Sequence, residues 1–486
     1  MRFKTPEDRN TFMMFNQLED WVDSDNIVRL IDRFVDLTLT KNEFEYDKGK
    51  SEFGRKAYSA NTLLKLYLYG YLNRISSSRR LETECNRNME VIFLLGNLRP
   101  DFKTIADFRK DNKSLIRMIC IEFRRFLVHE KFIKGEKIAY DGTKIKACTS
   151  KRMLEIQQIS KRLAHLEREM DAYFNQLDCS DNKEGHEDKV IELEAMESEL
   201  MSKIAQLETE IHKLKIQKEQ LQDKGTDKEF PGDCEAKFML TRDGIKPAYN
   251  VQGGVDNENK MIVIAEVTDR PDDYHEIENL VIQTEEQLSI TPKLVEADKG
   301  YGNPNQIKSL ESSNTTRCSI PLKSYSCEEQ RLRSFKYIKE KDVVRCKNHI
   351  DLNYIKTRTR SKSGQLVRIY KAKAEDCLNC PYREDCTNSK TGREYWLDSR
   401  HEWITAYKRR MDSKRCKAEI VERKAIIEHV FGTLKRWMGK VPLLMKGKEK
   451  AQIEIDIYTT AYNMLRLKNI VGVANAMSKL ELYYAK

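Results

Sequence analysis

Apolar residues recur along this chain with more than one period, and the places where the period changes divide it into units. Up to about residue 130 the reading is helical: Thr62 to Leu72 and Leu115 to Phe126 are rich in apolar residues, the second with basic residues interleaved. Between them, Ser76-Ser77-Ser78-Arg79-Arg80 reads as a turn or helix start, and Pro100-Asp101-Phe102-Lys103-Thr104 as a loop leading into a helix. A helical packing unit with basic edges and a DNA-binding unit fit this stretch equally well. From Lys137 the pattern shortens: Ile138 to Ala147 is a β-rich run with Asp141 near its middle, which marks a boundary close to residue 131.

Residues 151–229 have a third character. Ile156, Ile159, Leu163, Leu166, Met170, Tyr173 and Leu177 step by three and four, as in a coiled-coil seam. After the polar break Asp181-Asn182-Lys183-Glu184-Gly185 the stepping resumes at Leu200, Ile204, Leu207, Ile211, Leu214 and Leu221. An antiparallel hairpin within the chain and pairing with another subunit both use these positions. Strand signals return over 230–325, at Pro247 to Gln252, Met261 to Val267 and Lys293 to Asp298, with a helix from about Tyr274 to Leu288 between the last two. Strands alternating with helices point to an α/β core. Residues 326–400 form a basic, cysteine-rich insertion; long helices then dominate 401–475, from Trp403 to Trp437 and from Ile453 to Leu467, and 476–486 reads as a tail.

Composition narrows the class. With 40% hydrophobic and 34% charged residues over 486, the chain has the balance of a folded multi-unit protein. The apolar stretch Leu63 to Leu72 is interrupted by Lys65 and falls short of the roughly 18 residues a membrane span needs, and no signal peptide opens the sequence. The expected location is the cytoplasm, where the twelve cysteines stay reduced and serve as packing residues or metal ligands. A net charge of +10 favours a nucleic-acid partner only weakly at this length. Its distribution says more: Lys356, Arg358, Arg360, Lys362, Arg368, Lys371 and Lys373 cluster in one segment, and Lys408 to Lys417 in another. Either cluster can neutralise phosphates or form a solvated face.

Two acids stand out chemically. Asp141 and Asp298 each end an apolar strand run just before a glycine, Gly142 and Gly300, which presents a carboxylate at a strand end. Glu428 lies on a helix instead, on one face with Lys424 and Lys435 at about 100° per residue. Alone, that stripe is also what a surface ion pair looks like. In the insertion, Cys377-Leu378-Asn379-Cys380, with Cys386 beyond and Cys346 upstream, fits a tetrahedral Cys₄ zinc site, with His349 as a substitute for Cys346. Reduced thiols without metal and a redox role are the alternatives.

In their order, Tyr140-Asp141-Gly142-Thr143, Tyr249-Asn250-Val251-Gln252, Ala297-Asp298-Lys299-Gly300-Tyr301 and Glu428-His429-Val430-Phe431-Gly432-Thr433-Leu434-Lys435 resemble the DDE transposases of bacterial insertion sequences. Ser77-Ser78-Arg79 and Pro100 to Ile105 are similar to that family's helical N-terminal domain, and Tyr462-Asn463-Met464 to its closing helix. The resemblance implies an α/β RNase H-like catalytic core, with an all-α N-terminal domain, an inserted coiled-coil hairpin and the small cysteine-rich insertion. It implies that Asp141, Asp298 and Glu428 hold two Mg²⁺ or Mn²⁺ ions and that Arg423 or Lys424, with Lys435, contacts DNA phosphates. Tyr301 would stack on a base or sugar, or pack as a strand-end aromatic. Implied partners are the element's terminal inverted repeats, target DNA and further copies of the chain in a dimer or larger assembly, associated with the bacterial nucleoid. Val421 departs from the family pattern, which often has Tyr there. Two rival readings are a DNA-binding protein that has lost catalysis and a coiled-coil assembly protein with an incidental α/β domain.

Overall fold

Among the described residues, six α-helices precede the first strand: α1 (Ile27–Lys41), α2 (Ala60–Leu72), α3 (Ser78–Arg87), α4 (Met89–Leu94), α5 (Phe102–Asp111) and α6 (Lys113–His129). The computed structural model describes residues 17–41, 57–149, 154–181, 190–223, 228–230, 232–312, 315–323, 335–360, 366–439 and 443–485. Helix α2 is buried almost all round, as its nearly unbroken apolar sequence requires. Its single charge, Lys65, is held by Asp32 and Asp36 of α1 at 2.6 and 2.7 Å. The loop into α5 ends on Asp101, whose carboxylate accepts from the Lys103 and Thr104 amides at 3.0 Å and so caps the helix.

The chain then enters β1 (Lys137–Lys146) and leaves it for a helical excursion. A short β2 (Leu154–Glu155) pairs with β3 (Lys228–Glu229) at the base of α7 (Ile156–Asp181) and α8 (Val190–Asp223). Ile159, Leu163 and Leu166 meet Ile211 and Leu221 along one seam, with Arg162–Glu210 and Lys215–Glu167 pairs beside it, so these two helices pack on each other within one chain. Leu177 and the break after Asp181 lie where side chains or backbone are outside the described residues.

The main sheet is completed by β4 (Lys237–Thr241), β5 (Gly244–Asp256), β6 (Ile262–Thr268), β7 (Leu294–Glu296) and β8 (Arg317–Ser319), with α9 (Ile277–Leu288) and α10 (Pro304–Ser312) between the later strands. Its order is β4-β5-β1-β7-β8, and β6 pairs with β5. Strands β4, β1 and β6 run antiparallel to β5, while β7 is parallel to β1 and β8 to β7. The helix expected from Tyr274 begins at Ile277. The strand expected at Pro247 is longer and forms a hairpin with β4 that the sequence reading missed.

A second, five-stranded antiparallel sheet occupies the cysteine-rich segment: β9 (Phe335–Ile338), β10 (Val343–Cys346), β11 (Asp351–Thr359), β12 (Leu366–Lys371) and β13 (Glu394–Asp398), with short helices α11 (Ala374–Leu378) and α12 (Arg383–Cys386) before β13. The segment thus has a small core of its own around Val344, Leu352, Tyr370 and Leu397. The single helix expected over Trp403 to Trp437 is two, α13 (His401–Met411) and α14 (Lys414–Met438), because Ser413 adopts an extended backbone and caps α14 through the Cys416 amide.

Helix α15 (Lys448–Val471) ties the molecule together. It packs against α2 and α6 on one side and β6 on the other. Asn463 both accepts from the Ile262 amide and donates to its carbonyl, at 2.8 and 2.9 Å, and Gln452 does the same for Val267 N and Ala265 O. These side chains pair the outer edge of β6 in place of another strand. The tail expected from residue 476 is instead most of helix α16 (Val473–Tyr484), which packs on α1. None of the described helices is long and apolar enough to cross a membrane.

Candidate active site between β1 and β7

The parallel pairing of β1 with β7 sets Ile138 beside Val295 and Ala139 beside Glu296. Carried two residues further, that register brings Asp141 level with Asp298, just past the end of β7. Asp298 is extended and its carboxylate accepts from Gly300 N at 2.7 Å, capping the 3-10 turn Lys299–Tyr301; Asp141 accepts from Gly142 N at 3.0 Å. The two acids lie in each other's field. Burial pushes the Asp141 carboxyl up to about 6; nearby Arg423 opposes this, while Asp298 and Asp273 add to it.

Helix α14 packs across this part of the sheet, with Phe431 against Gly253, the strand partner of Asp141. A methyl group at Gly253 would sit 2.6 Å from the Phe431 ring, so the helix approaches this closely only over glycine. Arg423 of α14 points its Nη1 to 3.7 Å from Asp141 Oδ2, and its side chain is only 8% exposed. The Nε and Nη1 atoms of that guanidinium have no hydrogen-bond partner. Lys435, on the same helix, has its ammonium partly desolvated, which lowers its pKa, while Asp141 pulls the other way. Lys424 and Glu428 are exposed. Among the described residues no three His, Cys, Asp or Glu side chains converge closely enough to hold a metal ion; the field of Asp298 reaches Asp141, and Glu428 lies exposed on the flanking helix. The donor set itself suits a hard cation. A carboxyl raised by burial and, less, by neighbouring carboxylates is relieved by a divalent ion with oxygen preference, against the pull of Arg423, the Gly142 amide and the Lys435 ammonium.

Tyr301 is fully buried, and its hydroxyl donates to Gln252 Oε1. The stacking role is therefore corrected: no face of the ring is open to a base, and the packed reading holds. Gln252 Nε2 donates onward to Asp273 Oδ1 at 2.6 Å, where Asn250 Nδ2 at 2.7 Å and Lys144 Nζ at 3.0 Å also converge. The sequence reading missed Asp273 and Lys144. An acid-rich Asp272-Asp273 loop after a core strand was the available signal, but its partners lie more than twenty residues away and cannot be read from spacing.

The four candidate zinc ligands are neighbours: burial raises the Cys386 thiol, and Cys377, Cys346 and Cys380 add to that. They are not gathered at ligating distances, and Cys377 Sγ instead accepts from the Arg393 amide at 3.4 Å. The zinc expectation is not supported by this arrangement, in which Cys346 and Cys377 pack against the small core and the thiols do not converge at ligating distances.

Two family models match the chain: a transposase domain, DUF772, over residues 16–111, and a transposase DDE domain over residues 345–468. The second spans Glu428, Arg423, Lys424 and Lys435, while Asp141 and Asp298 fall between the two matches. No curated protein and no solved structure matches. With one transposase-domain match in its N-terminal helices and a transposase DDE-domain match running from the end of β10 through α14 and most of α15, the chain is consistent with a DDE transposase of an insertion sequence.

Proposed function

We propose that this transposase cleaves the ends of its element and joins the freed 3′-hydroxyl ends to target DNA, with Asp141, Asp298 and Glu428 as the metal-holding acids. The observation that carries the reading is the register that sets Asp141 level with Asp298, beside a buried guanidinium with unpartnered nitrogens on the very helix that bears Glu428. The order of the main sheet supports an RNase H-like core.

Mg²⁺ or Mn²⁺, bound as a pair, would supply charge stabilisation for the attacking and leaving oxygens of an in-line displacement. The chain's own residues do the rest. Asp141 presents hard oxygen donors from β1 and Asp298 from the turn just past the adjacent β7, and Glu428 offers a third from α14, about 7.5 Å further along its axis than Arg423. Arg423 presents a desolvated fork to a phosphate, and Lys435 a point charge. Lys424 reaches the same duplex from the exposed side of the helix. In cleavage, a water oxygen bonds to phosphorus as the P–O3′ bond breaks, leaving a 3′-hydroxyl; in joining, that hydroxyl bonds to a target phosphorus and a target 3′ oxygen leaves. Both are the same displacement, so one site serves both. Two ends must be handled in concert, so the working form is a dimer or larger assembly acting on nucleoid DNA.

The test is strand cleavage of DNA carrying the element's own ends, with Mg²⁺ or Mn²⁺, by wild type and by Asp141→Ala, Asp298→Ala and Glu428→Ala. Metal-dependent cleavage lost in each variant, with DNA binding retained, is the expected result. Variants that cut like wild type would overturn the assignment, and binding without cleavage by every protein would favour a catalytically inactive DNA-binding protein.

A further inference from the structure

Asp273 is an acid that the metal-holding set does not use, yet it sits at the junction of every strand that builds the site. Its Oδ1 collects Lys144 from β1, and Asn250 and Gln252 from β5. Gln252 is also the acceptor for Tyr301, which follows Asp298 in the same 3-10 turn. One carboxylate oxygen therefore links the strand carrying Asp141, the strand beside it, and the turn carrying Asp298. The fit is close. A methyl group on Gly142 would stand 2.5 Å from Asp273 Oδ1 and 2.7 Å from Gln252 Nε2, so only glycine after Asp141 lets this cluster lie against β1. Burial leaves the chain little freedom to rearrange, since Tyr301, Gln252 and Asn250 are all buried with relative exposures of 0%.

Resting on the metal-dependent reading above, we propose that Asp273 is a positioning residue, which fixes the separation of Asp141 and Asp298 through Gln252 and Tyr301 and keeps the Lys144 ammonium paired away from them. Three donors saturate Oδ1, so this oxygen acts through its hydrogen bonds and not by touching substrate. Loss of the carboxylate charge would weaken the hold on both amides and release Lys144, a cation on the same strand as Asp141. Either change costs the acid pair affinity for a divalent ion. Groups that orient metal ligands from behind are worth about 10- to 100-fold in metal affinity.

The experiment is Mn²⁺ titration of the full-length, DNA-free protein by calorimetry, for wild type, Asp273→Asn, Tyr301→Phe and the double variant, with circular dichroism to confirm folding and Mg²⁺-dependent cleavage alongside. Each single variant should bind Mn²⁺ at least about tenfold more weakly. Because Tyr301 belongs to the Asp273 relay, the double variant should lose no more than the weaker-binding single. Wild-type Mn²⁺ affinity in Asp273→Asn, or losses that add in full, would overturn the proposal while leaving the transposase reading standing. If Asp273→Asn does not fold, wild-type affinity in Tyr301→Phe overturns it instead. A wild-type protein that binds no Mn²⁺ and cleaves without divalent metal would remove the metal reading, and this inference with it.

Discussion

Asp141 carries a pH signature that can be read before any DNA is added. Its carboxyl is pushed from 3.8 up to about 6, so the folded state holds that proton more tightly than the unfolded chain. The associated stability is complete below the unfolded value and is lost as pH rises through about 6. In metal-free protein, Asp141→Asn should therefore melt close to wild type near pH 4 and at a higher temperature than wild type above about pH 6. Added Mg²⁺ should close that gap in wild type only; a gap that stays constant with pH would show that Asp141 is not strained in this way. Arg423 gives the complementary case. Its buried Nε and Nη1 make no hydrogen bond and its ion pair is to Asp141, so Arg423→Met should push the Asp141 carboxyl further up and widen the pH-dependent stability gap, while cleavage falls about a hundredfold. Stability and activity measured on one preparation check both halves. The strands carrying Asp141 and leading to Asp298 were legible in the sequence as apolar runs. Tyr301 was not resolved, since a strand-end aromatic looks the same whether its ring is open or, as here, sealed against Gln252.

At the scale of elements, a clear period marked some helices and hid a boundary in another. The α7 and α8 seam appeared where three-and-four stepping placed it, and its contacts form a cluster separate from the main core. Leu166→Ala should accordingly cost that hairpin about 2–5 kcal/mol while the rest of the molecule melts as before. Hydrogen exchange would show faster exchange over α7 and α8 alone; a lower global transition would mean the hairpin is coupled to the core. The second sheet was missed for a physical reason. Strand β11 exposes every residue from Asn353 to Thr359, so no alternation of apolar and polar positions marks it as a strand. The break between α13 and α14 was also hidden, because the helical pattern continues on both sides of one serine cap.

At the scale of the whole molecule, the N-terminal helices and the α/β unit share one continuous core, joined by α15. Buried charge marks this joint: Asp456 of α15 is fully buried, lies 3.6 Å from Arg124 and 3.3 Å from Arg117 of α6, and has its carboxyl pushed up to about 6 by burial against the pull of both arginines. Asp456→Asn should destabilise the whole protein by about 3 kcal/mol or more, by stranding Arg124, and a single denaturant transition should shift as one. A transition that splits in two would show that the units fold separately. No sequence pattern pointed to this joint, because a single aspartate in a helix that mixes charged and apolar residues gives no sign of which arginine will meet it. The placement of α15 also bears on synthesis. The edge of β6 and the faces of α2 and α6 wait for side chains near the far end of the chain, so while the ribosome is still translating, the site holding Asp141 and Asp298 has no finished frame. Products of premature termination before this helix would be expected to lack the finished frame around Asp141 and Asp298, so the site's assembly waits on the synthesis of α15.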